Sequence, residues 1–273
     1  MDPNYGIARM PSSLYEENVW YEILSQANSA GISALDTAVA YRNAHRLIAG
    51  SSWRGEIHTK ISHDSSAIRE LTETRQQLNR DSLDLVYFHD SSSTQLGAEH
   101  LSLLSTQLLS NGAEAIGVSI YTPDQLEKVL NISTITHVQI PLNPLDQRFL
   151  GKSIDRALDA GKKIIARSIF LQGSLINSAV LDENIVSGEL LAGVSKFNIQ
   201  CEKLNLQPID ACLEYVSSVN GIDGVIFGAE SISQLLDIQT RWNKVGTGVY
   251  TKVDFSSFAN PNPEVIDPRT WRP

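Results

Sequence analysis

Cysteine is scarce: Cys201 and Cys212 are the only two in 273 residues. Two thiols in a chain this long exclude the disulfide framework that holds small secreted domains together. Both fall in a stretch of helical pattern and are expected to be buried and reduced. Long apolar runs are missing too. No segment approaches the roughly 18 uninterrupted apolar residues of a membrane-spanning helix. The first ten residues, MDPNYGIARM, contain no apolar signal region, so the expected compartment is the cytoplasm. There is no run rich in Lys and Arg, and the net charge is -9, which argues against a nucleic-acid partner. The Gly-x-Gly-x-x-Gly fingerprint of doubly wound dinucleotide-binding sheets is also absent. No metal site, internal repeat or low-complexity segment is expected.

What is present is a rhythm. Short runs rich in Ile, Val and Leu recur at Ile32 to Leu35, Ile57 to Ile61, Leu83 to Phe88, Ala115 to Ser119, His137 to Ile140, Lys163 to Ala166 and Gly224 to Phe227. Such runs suit parallel strands buried on both faces. Amphipathic stretches lie between them: Ser65 to Asn79, Pro123 to Leu130, Ile154 to Ala160 ahead of Gly161, and Ser231 to Trp242, opened by a Ser-x-x-Gln capping pattern. A first helix is expected from near Ser13. The long interval from Ser168 to Asp223 reads as helical over Glu183 to Leu206 and Pro208 to Val219. Strand and helix alternating at mostly about 20 to 30 residues predict an α/β fold, a (β/α)8 TIM barrel. A doubly wound open sheet is the rival. Seven strands are legible where a closed barrel has eight, so the barrel is expected to lack one strand or to hold one that the pattern hides. Residues 1–258 read as a single barrel domain. Residues 259–273, with four of the ten prolines, read as a tail without regular structure.

In such a barrel, chemistry gathers at the C-terminal ends of the strands. Those ends carry Asp36, Lys60, His89 with Asp90, Ser119, Gln139 with Asn143, Arg167 with Ser168, and Gly228 with Ser231. Tyr41 follows the first strand. Asp36 closes a buried run, where an acid is costly unless paired, and Lys60 on the next strand is its natural partner. A lysine held by a carboxylate beside a tyrosine favours the phenolate, so that Tyr can exchange a proton with a carbonyl or alcohol oxygen. His89 on the third strand could orient that oxygen. Each residue also has a structural reading: Asp36 as a helix cap, Lys60 as a solvated strand end, His89 as a structural hydrogen-bonder, Tyr41 as packing.

Asp-Thr-Ala-x-x-Tyr, then Thr-Lys, Leu-x-x-x-His-Asp and Gly-Val-Ser, in this order, resemble the aldo-keto reductases from about Tyr5 to Leu236 and on to the end. YGIAR, QIPLNPLDQR, ARSIFLQGSL and IDPRTW are similar to a bacterial branch associated with polysaccharide-biosynthesis genes. The resemblance implies NADPH- or NADH-dependent reduction of an aldehyde, ketone or sugar-derived carbonyl. Tyr41 would be the general acid, Asp36 and Lys60 would tune it, and His89 would orient the carbonyl. It implies cofactor contacts at Ser119, Gln139, Arg167, Ser168, Gly228, Ser231 and Gln234. The start of the helix opened by Ser231 suits an anion. The expected partner is a small-molecule carbonyl compound, with no nucleic acid and no membrane; a free sheet edge would favour a homo-oligomer.

Three departures matter. Ile120 stands where the family has Asn after Gly-Val-Ser. Arg167 stands where a Tyr often stacks on nicotinamide. Glu230 stands where many members place a cation for the NADPH 2′-phosphate, so NADH or relaxed choice is expected. The family's opening strand also has no counterpart ahead of Tyr5. That leaves the strands at Leu35 and Ile226 with open edges. A misassigned start, a truncation and a barrel that has lost cofactor binding all fit this. The alternative function is a cofactor-deficient barrel that binds a ligand or partner; an isomerase or lyase is a third reading.

Overall fold

The computed structural model describes residues 16–41, 43–89, 91–181, 186–245 and 253–271. Seven parallel strands form one sheet: β1 (Ala34–Asp36), β2 (Glu56–Ile61), β3 (Leu85–Phe88), β4 (Ile116–Ser119), β5 (His137–Pro141), β6 (Lys163–Arg167) and β7 (Gly224–Val225). Their order in the sheet is their order in the chain. The sheet is curled, as in a (β/α)8 barrel lacking one strand, and among the described residues β1 and β7 are not paired with each other. All seven expected runs are strands. The edge strands are shorter than the sequence suggests: β7 keeps two residues of its run, and among the described residues no eighth strand lies beside it to extend the ladder.

Helices α1 (Glu17–Ser29), α2 (Ala44–Gly50), α3 (Ala67–Leu78), α4 (Ala98–Ser110), α5 (Pro123–Val129) and α6 (Lys152–Asp159) follow, with α7 (Gly188–Lys203), α8 (Pro208–Ser218), α9 (Ile232–Trp242) and α10 (Pro263–Ile266). Local chemistry explains their ends. Pro123 opens α5 inside a complete capping box: the Thr122 hydroxyl accepts from Gln125 N, and Gln125 Oε1 accepts from Thr122 N. Gly161, at φ 69°, ends the turn after α6 in a conformation that favours glycine. Ser231 caps α9 by accepting from Gln234 N at 3.2 Å, but Gln234 Oε1 reaches one residue further back, to Glu230 N. The start expected near Ser13 lies outside the described residues, as do Glu183 and its two neighbours. From Gly188 the long interval is α7 and α8, which bury Cys201 and Cys212. The tail differs from expectation. Asn262 caps the short α10, and Asp267 caps a 3-10 turn at Pro268–Thr270, because Asn-Pro and Asp-Pro each supply a cap and a fixed φ.

A core lies on the face of the sheet away from Lys60, with Ile57, Val86, Phe88, Val118, Val138 and Ile164 among its fully buried members. Tyr87 on β3 points the other way, into the barrel, level with Lys60. Gly117 makes room for its ring: a Cβ there would lie 2.5 Å from Tyr87 Cδ1. Gly117→Ala is therefore expected to lower stability by about 1–3 kcal/mol, through overpacking that moves Tyr87. Urea melts of the variant and wild type check this; an unchanged midpoint would mean the ring moves freely. Among the described residues no helix is long and apolar enough to cross a membrane.

Candidate active site

Asp36 ends β1 and Lys60 lies near the end of β2, and the two form a buried ion pair. The parallel register places His58 opposite Asp36, so Lys60 reaches back across the strand pair. Lys60 Nζ also approaches the Thr37 carbonyl at 3.5 Å. Burial pushes the Lys60 ammonium below the usual lysine range; Asp36 opposes that shift and the charge of Arg167 adds to it. The other oxygen of Asp36 accepts from Gln139 Nε2 at 2.9 Å, and Gln139 Oε1 accepts from the Ser119 hydroxyl at 3.4 Å. One polar chain thus crosses the barrel from β4 through β5 to β1 and β2.

Tyr41 lies on the loop after β1, with its ring centroid 5.9 Å from Lys60 Nζ. The His89 ring, at the end of β3, meets it edge-on at 6.2 Å and 89°. Asp36, Tyr41, Lys60 and His89 are therefore neighbours. Ser119 and Gln139 join them through the polar chain. Tyr87 lies below Lys60, whose Nζ is 6.0 Å from its ring, and burial raises the Tyr87 phenol well above the usual range. The sequence reading passed over Tyr87. Its signal was parity, since it is register partner to Lys60.

Arg167 extends from β6 over β5, donating to the Ile120 carbonyl at 3.1 Å and to the Ser168 hydroxyl at 3.4 Å. Its guanidinium lies 4.1 Å from the centroid of Tyr121. Arg269 from the tail lies 3.2 Å from the same centroid, so two guanidiniums contact one ring. Arg148 closes this end: it binds Asp146 through Nε and Nη2 at 2.7 and 2.8 Å, and donates to the Tyr121 carbonyl at 2.9 Å. Neither Tyr121 nor the Asp146–Arg148 pair was singled out from the sequence. Asn143 bonds the Ser168 carbonyl at 3.1 Å, which ties the loops after β5 and β6. Asp90 lies outside the described residues.

A cavity of about 970 Å³ opens between β1 and β7. Asp36, Thr37 and Tyr41 line one end, Gly228 and Ala229 another part, and helices α1 and α9 the wall. A Cβ built at Gly228 meets nothing within 4 Å, so the space beside it is open. The Thr37 hydroxyl is buried without a hydrogen-bond partner. Gly228 precedes α9, which Ser231 caps through Gln234 N, and it lines the same cavity as Asp36. Amide and hydroxyl donors, an open glycine and a helix start fit a dinucleotide in kind. Among the described residues no cluster of three or more His, Cys, Asp and Glu could hold a metal ion.

The same cavity reaches Glu56, His58, His137, Lys163 and Asp223 at the opposite end of the strands. Burial, with Lys163 and His58 nearby, pushes half-buried His137 down to about 4. Its folded pKa lies below the unfolded 6.5, so protons favour the unfolded chain and stability falls as pH drops from 6.5 toward 4. Discounted for partial exposure, wild type should lose about 1 kcal/mol more than His137→Gln between pH 7 and 5. Denaturant midpoints at both pH values check this; equal losses would remove His137 from the account.

The aldo/keto reductase family model matches residues 5–245. Among solved structures, the aldo-keto reductase AKR11C1 from Bacillus halodurans in its holo form is similar, with TM-score 0.72 and 17% identity over 90% of this chain and 88% of that one. Its apo form gives TM-score 0.70 and 18% identity over the same shares. At these identities the structures speak for the fold. No curated protein matches the sequence.

Proposed function

Since the chain belongs to the aldo/keto reductase family, whose fold and membership point to oxidoreductase chemistry on carbonyls, we propose that it is an NADPH- or NADH-dependent carbonyl reductase with Tyr41 as general acid. One observation carries the reading: a buried Lys60–Asp36 ion pair beside the Tyr41 ring, with His89 at its edge. A bound nicotinamide would supply hydride to the carbonyl carbon. Tyr41 gives its proton to the carbonyl oxygen, and the Lys60 cation favours the phenolate left behind. Asp36 holds Lys60 in place against the cost of burial, and Gln139 holds Asp36. His89 orients the carbonyl oxygen from the far side.

Ser119 and Gln139 would meet the nicotinamide carboxamide. Arg167 and Ser168 would border the ring, and Gly228, Ser231 and Gln234 would take the phosphate and adenosine end. Exposed Glu230 beside Gln234 favours NADH over NADPH, because a carboxylate repels a 2′-phosphate. Cytoplasmic residence and a role beside polysaccharide biosynthesis belong to the same proposal. The edges of β1 and β7, unpaired among the described residues, favour a second reading, a cofactor-deficient barrel that binds a ligand. Titration with NADH and NADPH, followed by nicotinamide fluorescence, separates the two. Saturation in the micromolar range, with reduction of a simple aldehyde, supports the reductase. A folded protein that binds neither dinucleotide is the second reading.

A further inference from the structure

Tyr87 is costly where it stands. It lies inside β3, fully buried, and its hydroxyl has no hydrogen-bond partner. A buried hydroxyl left unmet lowers stability, so the hydroxyl is not what the position needs. The neighbouring strand gives way to the ring as well. Gly117 is its register partner on β4, and a Cβ there would lie 2.4 Å from Tyr87 Cε1. Glycine inside a strand weakens the strand. What these two costs maintain is a ring facing Lys60, whose Nζ stands 6.0 Å from its centroid.

The Lys60 ammonium is buried, and each element packed around it contributes something. Asp36 on β1 pairs with it, and the Thr37 carbonyl lies at 3.5 Å. The Tyr41 ring stands 5.9 Å away on its loop, and Arg167 on β6 adds a repelling charge. On its own strand, His58 is bound to Glu56 at 2.9 Å and meets the Tyr87 ring at 6.4 Å. A buried Asp–Lys pair can shed both charges by passing one proton across, and a neutral lysine no longer favours phenolate at Tyr41. Gln139 guards one side, since its N–H stabilises the Asp36 carboxylate. An aromatic face guards the other by attracting the ammonium. Tyr41 changes charge in the reaction, so the constant face is that of Tyr87, fixed in the sheet. We propose that Tyr87 is a positioning residue whose π face keeps Lys60 charged and in place beside Tyr41. What the cation does there rests on the carbonyl-reductase reading; that Tyr87 holds it does not.

The test replaces Tyr87 by phenylalanine, difluorophenylalanine and trifluorophenylalanine. These keep the shape of the ring while fluorine draws charge from its face. NMR titration of lysine labelled with carbon-13 at Cε reads the ammonium directly, with the Lys60 signal assigned through Lys60→Met. Tyr87→Phe should leave the Lys60 midpoint where it is. Each fluorinated step should lower it, by about tenfold in proton concentration across the series. A ring that only packs would give a flat series. A flat series, or a midpoint that already falls in Tyr87→Phe, overturns the proposal. The alkaline limb of kcat for benzaldehyde reduction should move to lower pH in step, because loss of the ammonium ends its support of phenolate. A limb that stays fixed while the Lys60 midpoint moves would overturn the positioning role. If wild type reduces no carbonyl, the reductase reading fails by itself, and the lysine titration still decides whether Tyr87 holds the charge.

Discussion

Tyr41→Phe is expected to lower kcat for aldehyde reduction by about a hundred- to ten-thousandfold while the protein stays folded. The phenyl ring keeps the edge contact with His89, so the change removes a proton and an oxygen rather than packing. On the proposed reductase reading, that proton is what the substitution takes from the reaction. Lys60 sits 5.9 Å from the Tyr41 ring, buried and held by Asp36. Lys60→Met should therefore lose activity on the same scale, since a neutral side chain no longer favours phenolate. Single-turnover reduction with a saturating aldehyde, monitored at the nicotinamide absorbance, gives the chemical step directly. If Tyr41→Phe reduced a good aldehyde within about threefold of wild type, general-acid catalysis by Tyr41 would be wrong.

Arg148→Met should cost about 3–5 kcal/mol, because it strands the Asp146 carboxylate in a fully buried position. Arg148 now binds both of its oxygens and donates to the Tyr121 carbonyl as well. Burial already raises the Asp146 pKa above its ordinary 3.8, and Arg148 works against that rise. Without Arg148 it rises further. A carboxyl group with a raised folded pKa binds more protons folded than unfolded, so its cost grows as pH rises above about 4. The deficit of Arg148→Met relative to wild type should be greatest near pH 7 and shrink toward pH 4. Urea unfolding at both pH values measures it. A deficit that does not change with pH would mean that lost packing, not a stranded charge, is responsible.

The sequence carried the barrel because a strand buried on both faces leaves a plain mark: short runs of Ile, Val and Leu at regular intervals, all seven of which are strands. It carried the Asp36–Lys60–Tyr41–His89 group because strand ends converge on one rim whatever the details. It did not carry Tyr87, since a phenol inside a run of apolar residues looks like core, and only the register places it beneath Lys60. Nor did it carry the contact of Tyr121 with Arg269, which joins residues far apart in the chain through a tail read as irregular. The prolines there suggest an extended wrap. They instead begin α10 and the Pro268 turn, because each follows a residue that can cap. Seven strands were legible, but the sequence could not tell that β7 would keep only two residues, which depends on what lies beside it rather than on its own side chains.

The contact of Arg269 with Tyr121 also has a temporal side. The strands neighbour one another in chain order, so during synthesis each can dock on its predecessor as it leaves the ribosome. The Asp36–Lys60–Tyr41–His89 group is assembled from the first three strands and the loops that follow them. The mouth of the site is different. Tyr121 emerges with β4 and must wait for β6 to bring Arg167, and longer still for Arg269. A nascent chain would thus hold Asp36, Tyr41, Lys60 and His89 together well before Arg167, and later Arg269, reach the Tyr121 ring.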